Sequence, residues 1–239
     1  MAMDNVDGRS NPEDGLSASI DPEQTDTSPP PRAVRALSQT QERNLMDYLE
    51  DRFLDVTRNF KKRADPSSTL RTLPSYLEAT HHLLSLVLQI PPVDPSSSLR
   101  TTLLLRLTGD VLSSVPGYGP VLEPTALPLL LGWLADLDTG WLAVLRAQAW
   151  DSSHSCAVDA LVPESARASR PSQTERTRLR SLLIGGTDAL EEWVEKVNVG
   201  GQGRAEIEQA FNELFAGTLA EMGSLTGAMN DPRGMEGTC

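Results

Sequence analysis

Runs of β-branched residues bounded by turn signals are hardly present in this chain, which argues against a sandwich or barrel. Aromatic residues are also scarce, at 5% of the chain. Cysteine is nearly absent: Cys156 and Cys239 cannot make a disulfide framework. Three histidines, His81, His82 and His154, leave little material for a metal centre. No N-x-Ser/Thr sequon occurs, and the first residues are acidic and polar, unlike a secretory signal or an Arg-rich transit peptide. The most apolar run, Ala126 to Ala135, is followed by Asp136 and Asp138, and it falls short of the roughly twenty apolar residues of a membrane span. These absences predict an intracellular protein, nuclear or cytoplasmic, with no membrane span.

Leucine fills the space that aromatics and β-branched residues leave. It favours helices, and the fold class expected is all-α. A helical bundle or irregular array of six to eight helices fits the spacing of the apolar residues. The net charge is −12. Residues 1–31 carry seven acids against Arg9 alone, so half of that charge lies in the first part of the chain. With almost no large apolar residues there, 1–36 reads as a disordered acidic tail. Pro29, Pro30 and Pro31 close it as a linker or polyproline ligand.

The clearest element is Ser38 to Arg63. Ser38 and Gln41 have the spacing of a capping box. Leu45, Leu49, Phe53, Val56 and Phe60 form one apolar stripe at spacings of three and four. Acids precede Arg58, Lys61, Lys62 and Arg63, in line with the helix dipole, and Asp65-Pro66 stops the helix. A second helix opens at Pro74, apolar on most sides as a buried helix is. A third is capped by Ser98. A loop follows at Pro116 to Pro120, and a fourth helical region covers 126–150, broken at Asp138-Thr139-Gly140. These segments compose an N-terminal helical region over 37–150.

Residues 151–171 read as a flexible linker or loop, long for a compact domain. C-terminal helices over 172–229 begin with a second capping box, Ser172 and Glu175, and pack on the first region. Gly185-Gly186 interrupts the first of them, Gly200 to Gly203 forms a hinge, and a last helix runs from Arg204 to about Met229. Residues 230–239 are a frayed tail.

Reactive chemistry finds little support. Asp138-Thr139-Gly140 occurs once, whereas an aspartic protease needs two such aspartates on β-rich loops. His81 and His82 are neighbours on a helix and point apart, while helix-borne ligands sit three or four residues apart. Cys156 and His154 lie in the expected loop, which does not fix a nucleophile–base geometry. The glycine pairs follow no strand and match no phosphate-binding fingerprint. No catalytic, cofactor-binding or metal-ligating residue is therefore assigned, and no cofactor is expected. Ser28 and Ser38 resemble kinase sites of the proline-directed and Ser/Thr-Gln kinds.

The expectation is a non-enzymatic interaction subunit or adaptor of a eukaryotic intracellular complex. It would dock another helical protein through Leu45, Leu49, Phe53, Val56 and Phe60. A second possibility is a nucleic-acid- or chromatin-associated protein contacting phosphates or an acidic partner through Arg58, Lys61, Lys62, Arg63, Arg176, Arg178 and Arg180. The acidic balance disfavours it. A third is a lipid or small-ligand site in Leu127 to Leu145, with Trp133 and Trp141.

Overall fold

The described residues fold as α-helices with one small two-stranded hairpin in the long connection between the fourth and fifth of them. The computed structural model describes residues 34–119, 122–123, 125–163, 166–197, 207, 209–211 and 213–229, with only the backbone described for 224–229. The expected tail up to residue 33, the Gly200 to Gly203 hinge and the tail at 230–239 lie outside the described residues.

Helix α1 (Gln39–Lys61) starts at the expected box. Ser38 Oγ accepts from Gln41 N at 3.3 Å, and Ser38 N donates to Gln41 Oε1 at 2.9 Å. Helix α2 (Leu73–Leu88) is capped by a second reciprocal pair, Thr72 with Ser75, with Pro74 in its first turn. Serine replaces the usual Glu or Gln of a box here, so the sequence pattern hid it. Helix α3 (Ser96–Ser114) begins before Ser98, the expected cap, and its own cap is Pro95. Ser97 Oγ instead donates back to Asp94 Oδ1 at 2.7 Å. A 3-10 turn, Val115–Gly117, carries α3 into part of the expected loop.

Two expected breaks are absent. Helix α4 (Ala126–Leu145) runs unbroken through Asp138-Thr139-Gly140. A Cβ on Gly140 would stand 3.0 Å from Leu88 Cδ1, so this glycine lets α2 approach α4. Helix α5 (Gln173–Lys196), capped by Ser172 and Glu175 as expected, continues through Gly185-Gly186. Gly186 lies against Leu112 of α3. Both glycines serve close packing, which in sequence looks the same as a break. The continuous α4 is long and apolar enough to cross a membrane by length and composition alone, whereas the expectation of no span rested on the shorter run Ala126 to Ala135. Half of its most apolar window is buried within this fold, as in the core helix of a globular domain.

Two short strands were not expected. β1 (Ala149–Asp151) pairs antiparallel with β2 (Cys156–Val158), Ala149 opposite Val158. The stretch after it, expected as a flexible linker, is tied by backbone hydrogen bonds. Val34 N donates to Leu161 O at 3.0 Å, Asp94 N to Arg167 O at 3.0 Å and Ser169 N to Pro92 O at 3.1 Å. The first of these also anchors the end of the expected tail.

The last helix, α6 (Ala216–Met229), is shorter than expected. Phe215 adopts a left-handed backbone, φ 58°, which interrupts helical continuity before it. Asp138, the expected cap of a second half of α4, caps α6 instead. Its Oδ1 accepts from Thr218 N at 3.0 Å, and Gly217 keeps the two helices close.

α3 packs against α2, α4 and α5. Trp141 Nε1 donates to Thr108 Oγ1 at 3.0 Å and Arg100 Nη1 to Gln148 O at 2.7 Å, so α3 runs opposite to α4. α2 and α4 run in the same direction. His81 meets Asp136 halfway along, and Leu88 meets Gly140 nearer the C-terminal end of both helices. The core is leucine from every α-helix up to α5, with Trp141, Phe53 and Tyr76 among its largest fully buried side chains.

Candidate functional site

The apolar stripe of α1 is part of the core. Leu49 is 0% exposed and Phe53 is 2% exposed, while Leu45, Val56 and Phe60 are half-buried against the same core. Arg106 of α3 lies over the Phe53 ring at 4.3 Å and donates to Glu50 Oε1 at 2.9 Å. Phe60 packs against Tyr76 and Tyr118, with ring centres 5.6 and 5.7 Å away. The expectation that this face meets a partner loses its named surface, because α2 and α3 cover it from within. Ser38, the expected phosphorylation position, is exposed at the helix cap.

The basic clusters also shrink. Arg58, Lys61 and Lys62 are exposed. Arg63 is drawn inward: its Nε donates to Gly117 O at 3.0 Å, and its guanidinium lies 4.3 Å from the Phe60 ring centre. Arg176 is buried, while Arg178 and Arg180 are exposed. Residues two apart on a helix point about 200° from one another. The second cluster is therefore not one cationic face.

Residues singled out for chemistry are scattered. His81 faces Asp136, and His82 lines a different cavity beside Arg52, Asp55 and Asn59. His154 Nδ1 lies 2.7 Å from Asp151 Oδ2, and that contact holds the Asp151 carboxyl below its ordinary range. Cys156 is exposed on β2. Among the described residues, no three His, Cys, Asp or Glu side chains gather as a metal site would require. Arg100 is 1% exposed, and burial pushes its pKa down to about 10. It has Gln148 O as acceptor, so it holds the α4–β1 turn and offers no open surface.

Among the described residues, a groove lies open between α2 and α4. Its volume is about 600 Å³. Pro74, Leu77, Glu78 and His81 line one side; Pro128, Leu129, Gly132, Trp133 and Asp136 line the other. Parallel packing of the two helices creates it, with one lining residue or pair per turn on each side. Leu77 and Trp133 form an apolar floor, and both are buried. Leu129 is 51% exposed at the lip, the largest value, shared with Leu161, among the described exposed large apolar residues. Gly132 contributes no side chain, and a Cβ built there would meet nothing within 4 Å. His81 Nε2 and Asp136 Oδ2, 3.0 Å apart, bridge the two helices at the polar end. The Trp133 indole N–H is buried and finds no acceptor among the described residues.

Sequence reasoning singled out Trp133 and the apolar character of α4, but missed Leu129, Gly132 and Glu78 as groove residues. Pro74, Leu77 and His81 share one face at helical spacing, as do Leu129, Gly132 and Asp136. The pairing of the two helices is what joins these faces, and no periodicity within either segment reports it. Comparison with known protein families, with curated proteins and with solved structures finds no match to this chain.

Proposed function

We propose that this chain is a non-enzymatic interaction subunit of an intracellular complex, a bundle-like helical scaffold that receives part of a partner protein in the α2–α4 groove. The observation that carries the reading is the open apolar groove itself. Leu129 stands half-exposed beside Gly132 over a floor of Leu77 and Trp133. Leu129 borders a concave, mostly apolar depression, the kind of site in which ligands and partner segments bind. The partner surface thus moves from the α1 stripe to a different pair of helices.

A second reading, a small apolar ligand, is favoured by one feature. The groove volume falls within the range of roughly 300–1,000 Å³ seen for ligand pockets. The groove is an open depression and not an enclosed cavity, which suits a protein segment better than an enclosed ligand. The nucleic-acid reading has less support, since Arg63 and Arg176 are taken up by the fold.

The test is a comparison of wild type, Gly132→Phe and Gly185→Phe in quantitative affinity purification. Both glycines are exposed and open to a new side chain, but only Gly132 lies in the groove. A stoichiometric partner retained by wild type and Gly185→Phe and lost from Gly132→Phe is the expected result. Equal recovery by all three variants removes the groove from the reading.

A further inference from the structure

The charge around the groove narrows what it can receive. Its lining contains two full negative charges, Glu78 and Asp136, and neither lysine nor arginine. Glu78 is exposed and Asp136 is 56% exposed, so both can meet an incoming charge. The chain as a whole, at −12, adds to the attraction for cations. Against them the groove's lining offers only the His81 imidazole, 3.0 Å from Asp136.

Shape sets the second constraint. On α2 the lining residues recur as Pro74, Leu77 with Glu78, and His81; on α4 as Leu129, Gly132 with Trp133, and Asp136. Both series advance by about one helical turn per step, roughly 5.4 Å along the axis. Side chains at i, i+4 and i+7 on a third helix advance in the same steps, the arrangement used when an amphipathic helix lies in a groove. Gly132, in the middle of the α4 series, lets the backbone of such a helix approach closely.

We propose that the groove binds an amphipathic helix of another protein whose apolar face is flanked by lysine or arginine. The apolar face meets Leu77, Leu129 and Trp133, and the cations meet Glu78 and Asp136. This inference rests on the docking reading above and adds the chemistry of the partner. A cation on the incoming helix takes over the Asp136 carboxylate from His81. Rim charges of this kind act on encounter rate and on the choice between partners more than on raw affinity.

The experiment uses the full chain and a displayed library of helical peptides. All members carry leucines at i, i+4 and i+7, and the flanking positions are randomised among Lys, Arg, Glu, Asp and Ser. Binders are selected on wild type and then scored against Gly132→Phe, Gly185→Phe and the double variant Glu78→Lys/Asp136→Lys. The expected pool is enriched in Lys and Arg and keeps binding to Gly185→Phe. It loses binding to Gly132→Phe, and it weakens by up to about tenfold on the double charge reversal, with a slower association rate. A pool that Gly132→Phe abolishes but that shows no cationic enrichment leaves the groove as the site and overturns the charge inference. A pool indifferent to Gly132→Phe, or no pool at all, overturns both. Circular dichroism on each variant establishes that the helices are intact before binding is read. Removal of bound 1-anilinonaphthalene-8-sulfonate by Gly132→Phe, with no peptide selected, assigns the groove to a small apolar ligand and likewise overturns the proposal.

Discussion

Gly185 and Gly186 are adjacent in α5, and the structure gives them opposite reasons to be glycine. A Cβ on Gly185 meets nothing within 4 Å. A Cβ on Gly186 stands 2.5 Å from Leu112 Cδ1, 2.9 Å from Leu112 Cβ and 3.0 Å from Leu112 Cγ. A rotation of the leucine side chain can withdraw Cδ1. It cannot withdraw Cβ, which is fixed to the α3 backbone, so α5 and α3 must move apart. Alanine in place of glycine within a helix gains about 1 kcal/mol from propensity at either position. Overpacking a close contact costs about 1–3 kcal/mol. Gly185→Ala is therefore stabilising by about 1 kcal/mol. Gly186→Ala ranges from neutral to about 2 kcal/mol destabilising once the two terms are combined. In a chain of this size 1 kcal/mol moves Tm by about 2–4 °C. Thermal melts of the two single variants followed at 222 nm measure the difference, and propensity cancels because the positions are neighbours. Equal Tm values for the two variants would refute the close approach of α5 to α3, and with it the reason given for an unbroken α5.

Three further outcomes follow from the packing. Phe53→Ala lowers stability by about 3–5 kcal/mol in urea unfolding, as expected for a buried ring in the core; a change under 1 kcal/mol would return the α1 stripe to the surface. Asp138→Ala costs about 1 kcal/mol through the lost cap, with faster amide exchange concentrated at Thr218 and its neighbours in α6; uniform loss of protection across α4 would contradict the capping role. Burial raises the Tyr76 hydroxyl to about 12 in the folded chain, from an ordinary value of 10.0. The folded state then holds this proton more tightly than the unfolded state does, so stability falls as pH climbs from about 10 toward 12. Tyr76→Phe flattens that part of the fall in urea melts, and an unchanged slope would remove Tyr76 as its source.

Local signals in the sequence were legible where both halves sit in one segment and carry the usual residues, as the Thr72–Ser75 box does not. The Ser38–Gln41 and Ser172–Glu175 boxes predict the starts of α1 and α5, and the structure has both hydrogen-bond pairs. Signals that depend on a second segment were not legible. Gly140 and Gly186 look like breaks until Leu88 and Leu112 are seen against them. Asp138 looks like a cap for its own helix until Thr218, far along the chain, donates to it. The pairing of 92–94 with 167–169 rests on backbone groups alone, so side-chain composition gave no sign of it.

The same distinction explains why the candidate site moved. An apolar stripe on a helix reports that the face is covered, and leaves open whether the cover belongs to the same chain. In α1 the stripe is narrow, and the chain's own core buries Leu49 and Phe53. α4 differs, because it is apolar on more sides than its neighbours can cover. Leu130, Leu134, Leu137 and Trp141 are buried, and Leu129 is left 51% exposed one position away from Leu130. A surface for a partner is better sought on a helix whose apolar residues exceed one face than on a helix with a clean stripe. Exposure alone does not separate the two helices, because α1 leaves Tyr48 42% and Leu54 41% exposed beside its stripe; what sets α4 apart is that its exposed Leu129 lines a groove. The groove then lies where α4 meets α2, the neighbour whose packing leaves Gly132 uncovered.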